Sequence, residues 1–233
     1  MRPAIVFASG QLLTAECWAP QVEALASHYD LIVSDHGRDD TIAGMAARLL
    51  SEAPERFHLV AHAMGGFTAF EVMRQAPERV ASLVLIATLA PNDGPAQTER
   101  RQGYIRLVED GRFEAVVEER IPILVHPARR EDAALLTIVR RMAMDTGAAR
   151  FLGQQRAIMS RPDSRPSLAA ITVPTLLVRG DQDGITTQAH QDEILAGIAG
   201  SRLEAIPDCG HLPTLEKPLT TNRILTEWLA QFA

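Results

Sequence analysis

Six short apolar runs, each about the length of a strand, alternate with stretches of helical patterning, and this alternation limits the folds open to the chain. The runs are Ala4–Ala8, Leu31–Asp35, Phe57–Ala61, Ser82–Ala87, Thr175–Arg179 and Leu203–Ile206. Several are too continuously apolar for a sheet with one face in water, so they predict a parallel sheet with helices on both faces. Helices are predicted over Pro20–Ser27, from a Thr41 cap to about Ala53, over Gly65–Gln75 with a stop near Pro77, near Gln188–Ile198 and from Pro218 to Phe232. Between Asn92 and Leu168 only helical patterns occur, around Gln97–Glu109, Phe113–Glu119, Asp132–Met144 and Ala148–Ile158. The expected architecture is a doubly wound α/β domain with a mostly parallel sheet of about six strands, built from residues 1-91 and 168-233, with residues 92-167 inserted as a helical lid.

Composition narrows the class. With 233 residues, 46% of them hydrophobic and 22% charged, the chain can bury a core and is a poor match to disorder or fibrous repeats. A net charge of −6 argues against nucleic acid, which needs a dense basic surface. Lys217 is the only lysine, and the arginines between Arg100 and Arg165 alternate with carboxylates such as Glu118, Glu119, Glu131 and Asp132. They read as mixed, solvated helix faces rather than a basic patch. No apolar run approaches a bilayer span, and the first residues read as a strand rather than a signal-peptide core, so no membrane partner and a cytoplasmic location are expected. Cys17 and Cys209 lack metal-ligand spacing and are expected to be free thiols, with no metal site.

After the third strand comes Ala61-His62-Ala63-Met64-Gly65-Gly66. A tight strand-to-helix turn that lifts its middle residue clear of the sheet needs small residues two positions away on either side, and Ala61 and Gly65 supply them. The residue at the tip is Ala63, which has no nucleophilic atom. The chain here resembles the α/β-hydrolase fold superfamily, with His62-Ala63-Met64-Gly65-Gly66 where that family usually reads His-Ser-x-Gly-Gly. The likeness extends over nearly the whole chain. Gly180-Asp181-Gln182-Asp183 is similar to the family's Gly-x-x-Asp, and Cys209-Gly210-His211-Leu212-Pro213 to its histidine loop. Ser9-Gly10-Gln11 stands in the place of the usual His-Gly-x oxyanion loop.

The resemblance implies a catalytic set of Ala63, Asp183 and His211, with Asp183 preferred to Asp181 on spacing and Asp93 as a relocated alternative. The backbone N–H groups of Gln11 and Met64 are the implied oxyanion donors, and the pocket is expected to draw on Leu12, Leu124, Met142 and Leu212. If the family's strand order holds, the first strand lies between the second and third, and the switch point between the first and third strands is the binding crevice. No cofactor is implied. Methionine rather than tryptophan after position 63 favours a serine nucleophile over the aspartate of related dehalogenases.

The expected function is hydrolysis of a small, largely apolar carboxylic ester or lactone through an acyl-enzyme, with Ala63 read as a serine-to-alanine replacement. One alternative is carbon–carbon hydrolysis of a diketone acid, its carboxylate held by a lid arginine such as Arg101, Arg140 or Arg156. The other is a natural, non-catalytic ligand-binding member of the fold. The expected partner is a small-molecule substrate, and a homodimer is left open.

Overall fold

A computed structural model describes residues 2–232. Its strands are β1 (Ala4–Ala8), β2 (Asp30–Ser34), β3 (Phe57–His62), β4 (Val80–Ile86), β5 (Thr175–Gly180) and β6 (Arg202–Ile206). The longer helices are α1 (Ala19–Leu25), α2 (Ile42–Glu52), α3 (Met64–Gln75), α4 (Pro95–Glu109), α5 (Phe113–Leu124), α6 (Ala133–Met159), α7 (Gln188–Gly197), α8 (Pro213–Glu216) and α9 (Pro218–Leu229). All five strand pairings are parallel, in the order β2-β1-β3-β4-β5-β6. The chain runs outward from β1 to β2 and then returns to the other side of β1 with β3, so the order reverses between β1 and β3.

Strand periodicity explains why both faces are covered. In β1, Ile5 and Phe7 join one apolar core with α1 and α9 residues such as Leu25, Leu225 and Trp228. Ala4, Val6 and Ala8 join the other, with Leu49 of α2, Phe70 of α3 and Ile194 of α7. Successive side chains point to opposite faces, so a strand buried on both sides is apolar at most positions. The central strands β3, β4 and β5 are almost wholly buried, which accounts for their largely apolar runs, and the buried His58 of β3 is satisfied by the Ser82 hydroxyl of β4 at 2.8 Å.

Local signals set the helix ends. Thr41 Oγ1 accepts the Gly44 N–H at 3.0 Å and starts α2, while Asp132 Oδ1 accepts the Leu135 N–H at 3.1 Å and starts α6. Gly147, at φ 75° and ψ 165°, interrupts α6 where the sequence predicts a break between two helices. Two boundaries differ from expectation. Helix α5 continues past Glu119 to Leu124 with Pro122 inside its last turn, where the missing N–H costs only one hydrogen bond. Strand β4 begins at Val80 because Val80 pairs with Phe57 while Ser82 pairs with His58, leaving Ala81 as an extra residue in the ladder. Between β4 and β5 the described residues form α4, α5, α6 and short 3₁₀ turns, with no strand.

Two glycines show how differently the same added methyl acts. A Cβ at Gly65 would overlap the carbonyl oxygen of Ala8, a backbone atom held in the β1 ladder. In α4, a Cβ at Gly103 meets nothing nearer than Arg106 at 3.9 Å. We predict that Gly65→Ala lowers stability by about 1–3 kcal/mol or more, whereas Gly103→Ala raises it by about 0.5–1 kcal/mol. Urea midpoints of the two variants check the pair, and equal midpoints would show that the end of β1 yields freely.

Candidate active site

The carboxyl ends of β1, β3 and β5, together with the loop after β6, bring the sequence-predicted residues together. Leaving β3, the chain turns at Ala63 with φ 49° and ψ −111°, a left-handed value that an alanine rarely adopts. The turn is pinned on both sides, since Ala63 N–H donates to Ile86 O at 2.9 Å and Thr88 Oγ1 donates to Ala63 O at 2.8 Å. A Cβ at Gly66 would overlap that Thr88 hydroxyl, so the glycine is what admits it. The loop after β1 passes close by, for a Cβ at Gly10 would stand 2.8 Å from His62 Nδ1 and 3.2 Å from the Ala63 methyl. Neither Gln11 nor Met64 gives its backbone N–H to an acceptor among the described residues.

Asp183 follows β5 and His211 follows β6. His211 Nδ1 donates to Asp183 Oδ2 at 2.9 Å, and the Asp183 carboxylate is wholly buried. Asp183 Oδ1 accepts the backbone N–H groups of Ile185 at 2.8 Å and Thr186 at 3.0 Å, and Oδ2 also accepts the Thr186 hydroxyl. With Nδ1 protonated toward Asp183, the lone pair of neutral His211 lies on Nε2, which has no partner among the described residues. His62 reaches the same loop from β3. Its Nε2 donates to the His211 carbonyl oxygen at 2.7 Å, and the rings lie 5.1 Å apart. Because a carbonyl only accepts, the Nε2 proton is fixed.

Burial and charge set the protonation states. Burial alone would raise the Asp183 pKa, but the charge and hydrogen bond of His211, with those of Thr186, outweigh it and bring the carboxyl down to about 2. His62 is pushed down to about 3, first by burial and then by the nearby His211, so it stays neutral. The arrangement is an imidazole whose Nδ1 is held by a buried carboxylate and whose Nε2 has no partner among the described residues, beside a strained turn and two unengaged amides. Such a set can take a proton from a hydroxyl and stabilise an oxyanion.

A cavity of about 530 Å³ opens onto Ala63 and His211. Gln11, Met64, Leu124 and Leu212 also line it, as does Arg101. Leu12 and Met142 do not, contrary to expectation. Leu12 sits at φ 62° with its N–H held by Gln154 Oε1 at 3.2 Å, which turns its side chain into the core. Met142 is fully buried between α6 and its neighbours. Arg140 and Arg156 are exposed and paired with Glu118 and Asp40, away from the cavity. Asp93 lines the cavity, but its oxygens are taken by Arg101 and Arg161 and it makes no bond to His211, which removes it as the alternative acid. Asp181 is exposed and caps the Cys209 N–H at 3.3 Å. Sequence reasoning missed Arg120 of α5 and Arg161 just beyond α6 in the cavity wall, and Gln154 of α6 behind the β1 loop, because the polar residues of this segment look like ordinary surface. Among the described residues no His, Cys, Asp or Glu cluster suits a metal, and no helix is long and apolar enough to cross a membrane.

Comparison with known proteins places this geometry in a family. The model described as "Alpha/beta hydrolase family" matches residues 5–224. A protein from Azorhizobium caulinodans, provisionally named the carbamate hydrolase RutD, is 31% identical over 95% of this chain and 89% of its own length. The pimeloyl-[acyl-carrier protein] methyl ester esterase of Pectobacterium carotovorum is 27% identical over 92% of this chain and 89% of its own. Among solved structures, a thermophilic esterase from Thermogutta terrifontis superposes with a TM-score of 0.90 over 99% of this chain and 90% of its own, at 24% identity, a likeness of fold.

The buried neutral histidines give the fold an acid-sensitive term. His36, which lines a second cavity of about 180 Å³, is also pushed down, to about 4, by burial that outweighs Asp35 and Asp39. Unfolded histidines take up protons below about pH 6.5, whereas His36 and His62 in the native state do not until about pH 4 and about pH 3. Stability therefore falls as pH drops from about 6.5, by up to roughly 1.4 kcal/mol per pH unit for each such group. Urea titrations between about pH 6 and pH 5, above the carboxylate range, should show an uptake of about two protons or more on unfolding, and His36→Gln should remove about one. An unchanged slope in His36→Gln would contradict the assignment.

Proposed function

Since the chain belongs to the alpha/beta hydrolase family, we propose that its site is that of a serine-type carboxylic ester hydrolase in which Ala63 stands in place of the nucleophile. The observation that carries this reading is the Asp183–His211 pair opening on the same cavity as the strained turn at Ala63. A left-handed φ at a residue with a Cβ costs about 1–3 kcal/mol and persists where the surroundings enforce it. With serine at the tip, the hydroxyl oxygen attacks the ester carbonyl carbon as its proton passes to His211 Nε2. Asp183 steadies the imidazolium through Nδ1. The tetrahedral oxyanion is held by the Gln11 and Met64 amides, and loss of one such donor elsewhere costs about 3–4 kcal/mol. Collapse expels the alcohol, which takes the proton from His211, and water repeats the sequence on the acyl-enzyme.

The chain with Ala63 keeps the pocket and amides, so on this reading it binds an ester without turning it over. The relatives include a protein named for ester hydrolysis and one named for carbamate hydrolysis, and both bonds present a carbonyl to the same machinery. Leu13, Phe67, Leu89, Leu124 and Leu212 in the wall support a largely apolar acyl or alcohol group.

We predict that Ala63→Ser creates hydrolysis on a panel of short esters, lactones, thioesters and carbamates, and that the new serine alone reacts with a serine-directed phosphonate, read by intact mass. Adding Asp183→Asn should lower that turnover by about 10³- to 10⁴-fold, with Asp181→Asn having little effect. A serine form that neither hydrolyses the panel nor takes the label would sink the reading and favour a non-catalytic ligand-binding role.

A further inference from the structure

The cavity that opens on Ala63 carries a charge opposite to that of the chain. The protein has a net charge of −6, yet the cavity wall includes four arginines, Arg100, Arg101, Arg120 and Arg161, against a single ionised carboxylate, Asp93. Two of the four share that one carboxylate. Asp93 bonds Arg101, and Arg161 Nη1 donates to the other Asp93 oxygen at 2.9 Å. Arg161 also lies 4.2 Å from the centre of the Phe67 ring.

Arg120 has no such partner. It is partly buried on α5 and has no carboxylate within 4 Å among the described residues. Its Nε is shut off from solvent with no acceptor at all. The one favourable neighbour is Tyr104, whose ring centre lies 5.4 Å from the guanidinium carbon and whose hydroxyl, donated to Glu119 at 3.0 Å, keeps lone pairs that also favour the Arg120 cation. Burial first, and then the like charges of Arg101 and Arg100, push the Arg120 pKa down to about 10, which leaves it a cation at neutral pH. A cation–π contact is worth about 0.5–2 kcal/mol, less than the several kcal/mol that a desolvated charge without a counter-ion costs. No carboxylate of the described residues balances this charge.

We propose that Arg120, assisted by the exposed Arg100, is a specificity residue that holds a carboxylate on the substrate, so that the ligand is the anion of a half-ester or of a carboxylated lactone. The proposal rests on the hydrolase reading for the ester end of the ligand. A carboxylate fits because a guanidinium offers two parallel N–H donors to two oxygens. The ligand would then repeat at Arg120 what Asp93 does for Arg101 and Arg161 in the same wall. The apolar residues between the charged wall and Ala63 suit a short methylene chain joining the two ends. This assigns to Arg120 and Arg100 a task that the diketone-acid alternative gives to Arg101, Arg140 or Arg156, of which only Arg101 reaches the cavity, already paired.

The test uses the chain as it is, with Ala63, so that binding is read without turnover. Calorimetric or ligand-observed NMR titration with monomethyl adipate and monomethyl glutarate is compared with methyl hexanoate, which lacks the charge. The half-esters should bind about 10- to 100-fold more tightly, and Arg120→Gln should abolish that preference while leaving methyl hexanoate unchanged. Arg120→Lys, which keeps the charge but not the fork, should fall between. The exposed control Arg140→Gln should alter nothing. Should Arg120→Gln fail to fold, salt dependence of half-ester binding by the unmodified chain, absent for methyl hexanoate, gives the same answer. Equal binding of charged and neutral esters, equal weakening of both by Arg120→Gln, or no half-ester binding at millimolar concentration would overturn the proposal. Hydrolysis by Ala63→Ser is scored separately. Turnover without anion preference removes the Arg120 assignment alone, and anion binding without turnover removes the hydrolase reading alone.

Discussion

Three glycines around the turn at Ala63 admit neighbouring groups at distances that a side chain would prevent, and the site depends on that approach. Gly65 lies against the Ala8 carbonyl at the end of β1, Gly66 against Thr88 after β4, and Gly10 against His62 and Ala63. With the glycines in place, the first turn of α3 drops into the crevice where the strand order reverses, and the Ala63 peptide is tied to β4 through Ile86 O and the Thr88 hydroxyl. Thr88 is in turn fixed by Gln191 of α7, whose Nε2 donates to Thr88 O at 2.8 Å. The direction of the Met64 amide is therefore a property of the sheet rather than of a loop, which is what preorganised stabilisation of a developing charge requires. The strain at φ 49° is sustained by that packing.

Charge at the site is confined by the same close packing. The rings of His62 and His211 lie 5.1 Å apart, tilted by 55°, and two imidazolium ions at that distance would repel each other in a poorly solvated setting. Burial keeps His62 neutral, so the Asp183 charge has only one histidine to match. Asp183 itself is wholly buried yet well satisfied, by His211, by the Thr186 hydroxyl and by two backbone amides. A buried carboxylate with this many donors stays ionised and rigid, and it fixes which nitrogen of His211 carries the proton.

The parts of the molecule that were legible in the sequence are those encoded by local pattern. Strand runs, the small residues around Ala63, the Gly-x-x-Asp spacing and the glycine before His211 each reflect a constraint within a few residues, and the fold brings Ala63, Asp183 and His211 together in the order the chain presents them. What failed depends on how the helices after β4 settle on the sheet. Leu12 and Met142 are apolar and near the right segments, but a positive φ and the inner face of α6 turn them into the core. The helical pattern read over Phe113–Glu119 falls short of Leu124, because Pro122 in a last turn loses only one hydrogen bond and does not end the helix. Arg120 and Arg161 carry no local mark that separates them from surface arginines, since their burial arises from helices distant in sequence.

Arg161 shows why the charge in the cavity divides as it does. Its guanidinium donates to Asp93 Oδ1, to Pro91 O at 2.9 Å and to Ile158 O at 2.8 Å, and Ser164 N–H reaches Ala90 O at 3.0 Å. The helical segment between β4 and β5 thus leaves and rejoins the sheet at one buried knot, with Arg101 of α4 drawn in through the other oxygen of Asp93. Removing one partner from a buried pair of this kind costs about 3–5 kcal/mol, so these two arginines are required by the fold whatever the cavity holds. Helix α5 touches the knot nowhere among the described hydrogen bonds, and no structural pairing accounts for Arg120. The cavity therefore combines two arginines fixed by closing the helical segment with two, Arg100 and Arg120, that have no carboxylate partner among the described residues.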